Sequence, residues 1–314
     1  MFDKTARTNG IYWINLLVTI LLFPILLWVS VIRWLFDRNP ETEVKGEVAV
    51  ITGGAQGLGR KLAIEFARRG CHIAVVDILE EKAQETAEYL KKTFKIKSKA
   101  YRVDITNHQK LVEFHSQVTR DFGDITIVVN NAGIVYFSDS APRDFDEIQK
   151  IITVNFTSQV WINQLFLPRM KVLNRGHIMS ISSLGALFNT AQLQIYGPAK
   201  SAVRAYMSSL RMDLNEYSGI NVTTIMPTYM TTHQPTEQIV NSNGLGKFLP
   251  VLDGDYVAQE AVKALLQGVD EMTLPRQCIY GFKLQEFLSA WMRDKILLFL
   301  HPKIDLNAQQ SKSK

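Results

Sequence analysis

The chain has 314 residues, 46% of them hydrophobic and 21% charged, with a net charge of +5. That length and balance suit one large packed domain or two small ones, and exclude a collagen, a low-complexity chain and a polytopic membrane protein. Two cysteines, Cys71 and Cys278, are too few for a disulfide framework and point to a reducing compartment.

The mean hydropathy is close to zero, and its apolar surplus lies at one end. From Ile11 to Ile32 there are 22 residues without a charge. As a helix they would rise roughly 33 Å, against a hydrocarbon core of roughly 30 Å. Trp13, Trp28 and Trp34 flank this run, where indoles favour a membrane interface. Residues 1–37 are therefore expected to form an N-terminal membrane anchor. The run is too long for a secretory signal and has no small-residue cleavage pattern after it. Pro24 leaves two forms open, one kinked span or a two-limbed hairpin in one leaflet. Basic residues slightly outnumber on the far side, which favours a cytosolic catalytic domain for a single span.

Residues 38–45 read as a polar linker. Strand-like runs then alternate with helical ones. Strands are expected at 47–52, 72–77, 98–104, 125–130, 177–182 and 221–226. Helices are expected at 57–70, 80–95, 107–122, 144–173 and 195–217. Apolar strands alternating with amphipathic helices predict an α/β fold, a single doubly wound Rossmann-type parallel sheet, over residues 46–285. Residues 286–314 would carry an amphipathic helix and tail. The basic stretch Lys91, Lys92, Lys95, Lys97, Lys99 and Arg102 reads as a solvated helix end; a lipid-headgroup patch is the alternative, and no nucleic-acid partner is expected.

TGGAQGLG at 52–59 joins the first strand to the first helix. Gly53, Gly57 and Gly59 permit a tight turn, close backbone approach to a pyrophosphate and close helix–strand packing. The helix N-terminus offers free N–H groups to phosphate. Asp77, ending the second strand, suits both ribose hydroxyls of an adenosine and would repel a 2′-phosphate, although it could also simply cap the next helix. No Arg or Lys precedes Gly57 in the turn or follows Asp77 directly. The pattern favours NAD over NADP.

YGPAK at 196–200 stacks Tyr196 and Lys200 on one helix face. A tyrosine with a free pKa of ~10 becomes a base near pH 7 only with about 4 kcal/mol of help, which a neighbouring ammonium could give. Ser183, just past the fifth strand, could hydrogen-bond the oxygen that gains or loses hydride.

With TGGAQGLG, Asp104 in VDIT, NNAG (130–133), Asn155, Ser183 and YGPAK in order, the sequence resembles the short-chain dehydrogenase/reductase family. The N-terminal run, GDITIVVNNAGIV (123–135) and GHI before the serine resemble its membrane-anchored subgroup, which includes retinol and 17-beta-hydroxysteroid dehydrogenases. The resemblance implies a catalytic set of Asn155, Ser183, Tyr196 and Lys200. Asn155 would hold a relay water, Ser183 would orient the substrate oxygen, Tyr196 would act as acid/base, and Lys200 would bind nicotinamide ribose and lower the tyrosine pKa. It implies cofactor contacts from Gly53, Gly57, Leu58, Gly59, Asp77, Asp104, Asn131, Ala132, Gly133, Tyr196, Lys200, Pro227 and Thr232. Asp104 would face adenine, while Pro227 and Thr232 would lie beside the nicotinamide carboxamide. A homodimer through helices 144–173 and 195–217 is implied as well. Thr228 departs from the glycine usual after the proline, and Gly197-Pro198 replaces a more usual Ser/Ala pair.

Residues 228–252 read as a greasy substrate lid carrying Met230, Phe248, Leu249 and Val251, or else as a plain surface loop. His233 has no second ligand at suitable spacing, so no metal is expected. Residues 282–302 repeat apolar groups at helical spacing, for packing on the domain or for lying in a membrane interface. The expected activity is NAD-dependent interconversion of a lipophilic alcohol and its carbonyl, with a retinol-type substrate favoured over a steroid. The expected location is the endoplasmic reticulum membrane or a lipid droplet. A non-catalytic NAD-binding scaffold is the reading from another class.

Overall fold

The computed structural model describes residues 10–36, 39–135, 144–188, 193–232, 240 and 249–300. The chain divides into two compact units, Met1–Pro40 and Glu41–Lys314. In the first, α1 (Gly10–Phe36) runs unbroken through Pro24, one limb rather than two. Its described side chains, 13–29, are exposed throughout. Among the described residues no helix is long and apolar enough to cross a membrane.

The second unit holds the expected sheet. Its strands are β1 (Val48–Thr52), β2 (His72–Asp77), β3 (Ser98–Arg102), β4 (Ile127–Asn130), β5 (Gly176–Ile181), β6 (Ile220–Pro227) and β7 (Glu271–Leu274). They pair in the order β3-β2-β1-β4-β5-β6-β7, and every pairing is parallel. The helices between them are α2 (Gly57–Arg68), α3 (Glu80–Phe94), α4 (His108–Phe122), α5 (Phe145–Ile152), α6 (Ser158–Leu173), α7 (Tyr196–Asp213) and α8 (Gly254–Leu266). Two further helices, α9 (Cys278–Gln285) and α10 (Ala290–Leu300), follow the sheet.

Side chains that alternate along β1 feed two cores. Ala49 and Ile51 pack with Leu62 and Phe66 of α2 and with Val257 and Leu265 of α8. Val48 and Val50 pack with Leu111 and Phe114 of α4, Phe166 of α6 and Met207 of α7. Burial on both faces explains why β1 and β5 are apolar or buried at every position. Residues 41–45 are laid against this unit. Thr42 N donates to Leu266 O, the Cys71 thiol donates to Val44 O, and Val44 is buried.

Three details differ from the expected elements. The single helix expected over 144–173 is α5 and α6 joined by one π-helical turn, Thr153–Thr157. The seventh strand is short and its sequence, EMTL, lacks an apolar run. The amphipathic stretch 282–302 is broken before α10, where Ser289 Oγ accepts from Met292 N at 3.4 Å, a helix cap. The basic stretch forms local surface contacts. Lys99 pairs with Asp121 at 2.6 Å and Arg102 with Glu80 at 3.2 Å.

Strand order reverses between β1 and β4, which opens a crevice at the carboxyl ends of the strands. The candidate residues collect there.

Candidate active site

The turn after β1 is fixed by its glycines. Gly53 and Gly57 have φ of +65° and +57°, a region that L side chains avoid. A Cβ on Gly59 would lie 2.0 Å from Gly53 O and 2.6 Å from Asn131 Nδ2. Asn131 fastens the turn to β4, donating to Thr52 O at 2.9 Å and Gly53 O at 3.3 Å. Thr52 Oγ1 accepts from the amides of Asn131 and Ala132. Leu58 is buried in the core beneath. Gln56 precedes α2, and no side chain caps the helix there, so its first N–H groups face outward for an anion.

Asp77 holds the other side of the turn. Its Oδ2 accepts from Ala55 N at 3.0 Å and its Oδ1 from Leu79 N at 3.1 Å. Asp77 is not the cap of α3, whose N-cap is Leu79 with no side-chain cap bond, and each carboxylate oxygen keeps a lone pair for a further donor. Asp104 lies in a cavity of about 570 Å³ with Ile78, Val103, Lys110 and Phe114. Hydrogen bonds from Thr106, chiefly its hydroxyl at 2.7 Å, hold the Asp104 carboxyl below the usual range. A flat aromatic base fits between these walls, and an uncapped glycine turn with a carboxylate beside it fits a dinucleotide.

The π-helical turn positions Asn155. Asn155 is fully buried. Its Nδ2 donates to Ile134 O at 2.9 Å and Ile151 O at 3.0 Å, and its Oδ1 accepts from Ile134 N. Gln159, which the sequence did not single out, donates to Asn155 O at 3.0 Å. A Cβ on Gly133 would lie 2.9 Å from Asn155 Oδ1 and 3.3 Å from Lys200 Nζ. Gly133 therefore lets the backbone pass close to both the asparagine and the lysine.

Ser183 ends the segment after β5, with Oγ accepting from Gly185 N at 3.1 Å. Ser183 Oγ and the Tyr196 ring both lie against Gly185, 3.5 and 3.9 Å from where its Cβ would be, and the serine hydroxyl acts to lower the phenol's pKa. Lys200 is buried, its Nζ donating to Ile181 O at 2.9 Å and lying 5.7 Å from the Tyr196 ring centroid. Burial pushes the Lys200 ammonium down to about 8. Burial also pushes the Tyr196 phenol up to about 12; the Ser183 bond opposes this and Tyr229 adds to it. Desolvation is the largest influence on the phenol, and the group that pulls it down is Ser183.

Pro227 ends β6, and Thr228 is buried after it with its amide donating to Leu274 O at 2.9 Å. Thr232 follows in the same loop. Its carbonyl oxygen would be 3.3 Å from a Cβ on Gly57, so it lies against the phosphate-type turn. Of the lid residues, Met230 bridges to Leu252, and Leu249 is buried with Leu184 and Phe188. Tyr229, Phe282 and Leu297 join that cluster, and Phe188 stacks on Phe282 at 4.7 Å. Phe248 and His233 lie outside the described residues.

The sequence profile described as short chain dehydrogenase matches residues 47–241. The chain belongs to this family. As a short-chain dehydrogenase/reductase it is an oxidoreductase of alcohol and carbonyl groups that works with a nicotinamide cofactor. It is 30% identical over 248 residues to epidermal retinol dehydrogenase 2 of Mus musculus, covering 76% of this chain and 77% of that one. It is 30% identical over 279 residues to human (Homo sapiens) 17-beta-hydroxysteroid dehydrogenase 13, covering 87% of this chain and 91% of that one. The crystal structure of an NAD+-bound xylitol dehydrogenase shares the fold, with a TM-score of 0.68 at 22% identity over 74% of this chain and 99% of that one.

Proposed function

We propose that this short-chain dehydrogenase/reductase interconverts a lipophilic alcohol and its carbonyl with NAD, with a retinol-type substrate favoured and a 17-beta-hydroxysteroid second. The observation that carries the chemistry is the Ser183–Tyr196 hydroxyl pair, set beside buried Lys200. When bound, the nicotinamide ring gives or takes the hydride. The protein's own groups handle the proton. Ser183 Oγ fixes the substrate oxygen. Tyr196 Oη takes the hydroxyl proton during oxidation and returns it during reduction. A phenol at about 12 starts as a proton donor, which suits reduction directly; oxidation needs added positive charge to bring it down. Lys200 supplies part of that charge while it stays protonated, below about pH 8. Asn155 would hold a water that links the lysine to solvent.

Asp77 supports NAD, because a carboxylate at the end of β2 would repel a 2′-phosphate on the adenosine ribose. The turn Gly53–Gly59, with Asn131 to Gly133, would hold the pyrophosphate side, and Asp104 the adenine. The aromatic cluster of Phe188, Tyr229 and Phe282 supports a lipophilic substrate. Its neighbour α10 turns Trp291 and Phe299 outward, 71% and 83% exposed, as does Phe287 before it at 82%. With α1 this apolar surface supports attachment to an endoplasmic reticulum or lipid-droplet membrane, and a homodimer through α5–α7 stays part of the reading. Production of NADH from all-trans-retinol, estradiol and ethanol by the full chain in liposomes tests the assignment. Preference for ethanol would contradict it.

A further inference from the structure

Folding places a lysine where the linear sequence shows none. Gln56 is the residue of the phosphate-type turn just before Gly57, next to Ala55, whose amide binds Asp77. Lys82, 26 residues away in the first turn of α3, donates from Nζ to Gln56 Oε1 at 2.9 Å. Both side chains are exposed. The ammonium therefore sits on the rim of the turn, beside the carboxylate that the proposed function assigns to adenosine ribose. Its placement is unusual on two counts. A cation in the first turn of a helix opposes the helix dipole. Glu80 and Glu81 share that turn, yet among the described residues no carboxylate pairs with Lys82. Its described partner is a neutral amide, so the ammonium is held at the turn by a hydrogen bond and not by an ion pair.

We infer that Lys82, held by Gln56 on the rim of the phosphate-type turn, is a specificity-determining residue that receives the 2′-phosphate of NADP and so offsets the repulsion from Asp77. This rests on the assignment of Asp77 to the ribose. NAD carries only a hydroxyl at that position and gains little from the ammonium. A 2′-phosphate gains a charge-assisted hydrogen bond. The neutral amide partner matters, since Lys82 can leave it for phosphate without breaking an ion pair. The enzyme thereby keeps NAD as the better cofactor and accepts NADP at measurable strength.

Dissociation constants for NAD and NADP, measured by calorimetry on the full chain and on Lys82→Ala, Lys82→Arg and Asp77→Ala, test this. Lys82→Ala weakens NADP by about tenfold and NAD by less than about twofold, the loss of one exposed charge-assisted bond. Lys82→Arg keeps most NADP affinity, and the loss in Lys82→Ala shrinks at high salt. Unchanged NADP affinity in Lys82→Ala, or an equal fall for both cofactors, overturns the assignment of Lys82 while leaving Asp77 in place. If Asp77→Ala leaves the NAD/NADP ratio unchanged, the ribose assignment fails, and the role of Lys82 with it.

Discussion

Gly59→Ala tests the phosphate-type turn at its tightest point. The added methyl would lie 2.0 Å from Gly53 O and 2.6 Å from Asn131 Nδ2. Neither neighbour is the free end of a flexible chain. Gly53 O is backbone, and Asn131 Nδ2 is held by two hydrogen bonds at 2.9 and 3.3 Å. Overpacking of one methyl costs about 1–3 kcal/mol, and each displaced hydrogen bond adds about 0.5–1.5 kcal/mol. The sum is about 2–6 kcal/mol, or a fall of roughly 4–24 °C in thermal midpoint at about 2–4 °C per kcal/mol. The same shift moves the start of α2 and should weaken dinucleotide binding by at least ~30-fold, equivalent to ~2 kcal/mol. Gly281→Ala is the internal control. A Cβ there meets nothing within 4 Å in the helix α9, so it should leave the midpoint equal or higher. Differential scanning calorimetry and calorimetric titration with NAD read both effects. A wild-type midpoint in Gly59→Ala refutes the packing argument. A lowered midpoint with wild-type NAD affinity refutes the cofactor assignment.

Other consequences follow from burial and charge. Burial pushes His177 down to about 4 from 6.5, so the unfolded chain takes up a proton between those values and the folded chain does not. Stability should fall by up to about 3 kcal/mol as pH drops from 6.5 to 4, and urea midpoints of His177→Gln should show a flatter fall; parallel curves contradict this. Lys200 is held at about 8 against 10.5, so its buried charge destabilises the fold below pH 8, and the penalty fades as pH rises from 8 to 10.5. Lys200→Met should raise the midpoint at pH 7, by up to about 3 kcal/mol of stability, while activity collapses; a lowered midpoint sinks that reasoning. Phe282→Ala removes a ring stacked on Phe188 and should cut kcat/KM for a long lipophilic alcohol ~10-fold while changing ethanol turnover less than ~3-fold. Equal losses would place the cluster outside the substrate path.

Much of the fold was legible because buried parallel strands leave a strong apolar signal. HIAVVD coincides with β2, and six expected strands formed within two residues at each end. β7 was missed because four residues, EMTL, carry too little pattern and owe their state to pairing with β6. The π-helical turn was invisible, since its sequence keeps helical spacing and only the backbone shifts by one residue. Ser183, Tyr196 and Lys200 were readable from spacing along one strand end and one helix. Lys82 was not, because its approach to Gln56 depends on how α3 packs beside the turn. Thr232 was named only through the family resemblance, and its approach to Gly57 depends on how the loop after β6 folds. The burial that raises the Tyr196 phenol likewise depends on three-dimensional packing.

The central claim is that the Tyr196 hydroxyl carries the proton. The direct measurement compares turnover of a lipophilic alcohol by the wild-type chain and by Tyr196→Phe, with NAD affinity measured alongside. Removing one oxygen should lower kcat at least ~100-fold, as loss of a general acid–base does, with NAD affinity within ~3-fold. Equal turnover in the two proteins would contradict the account.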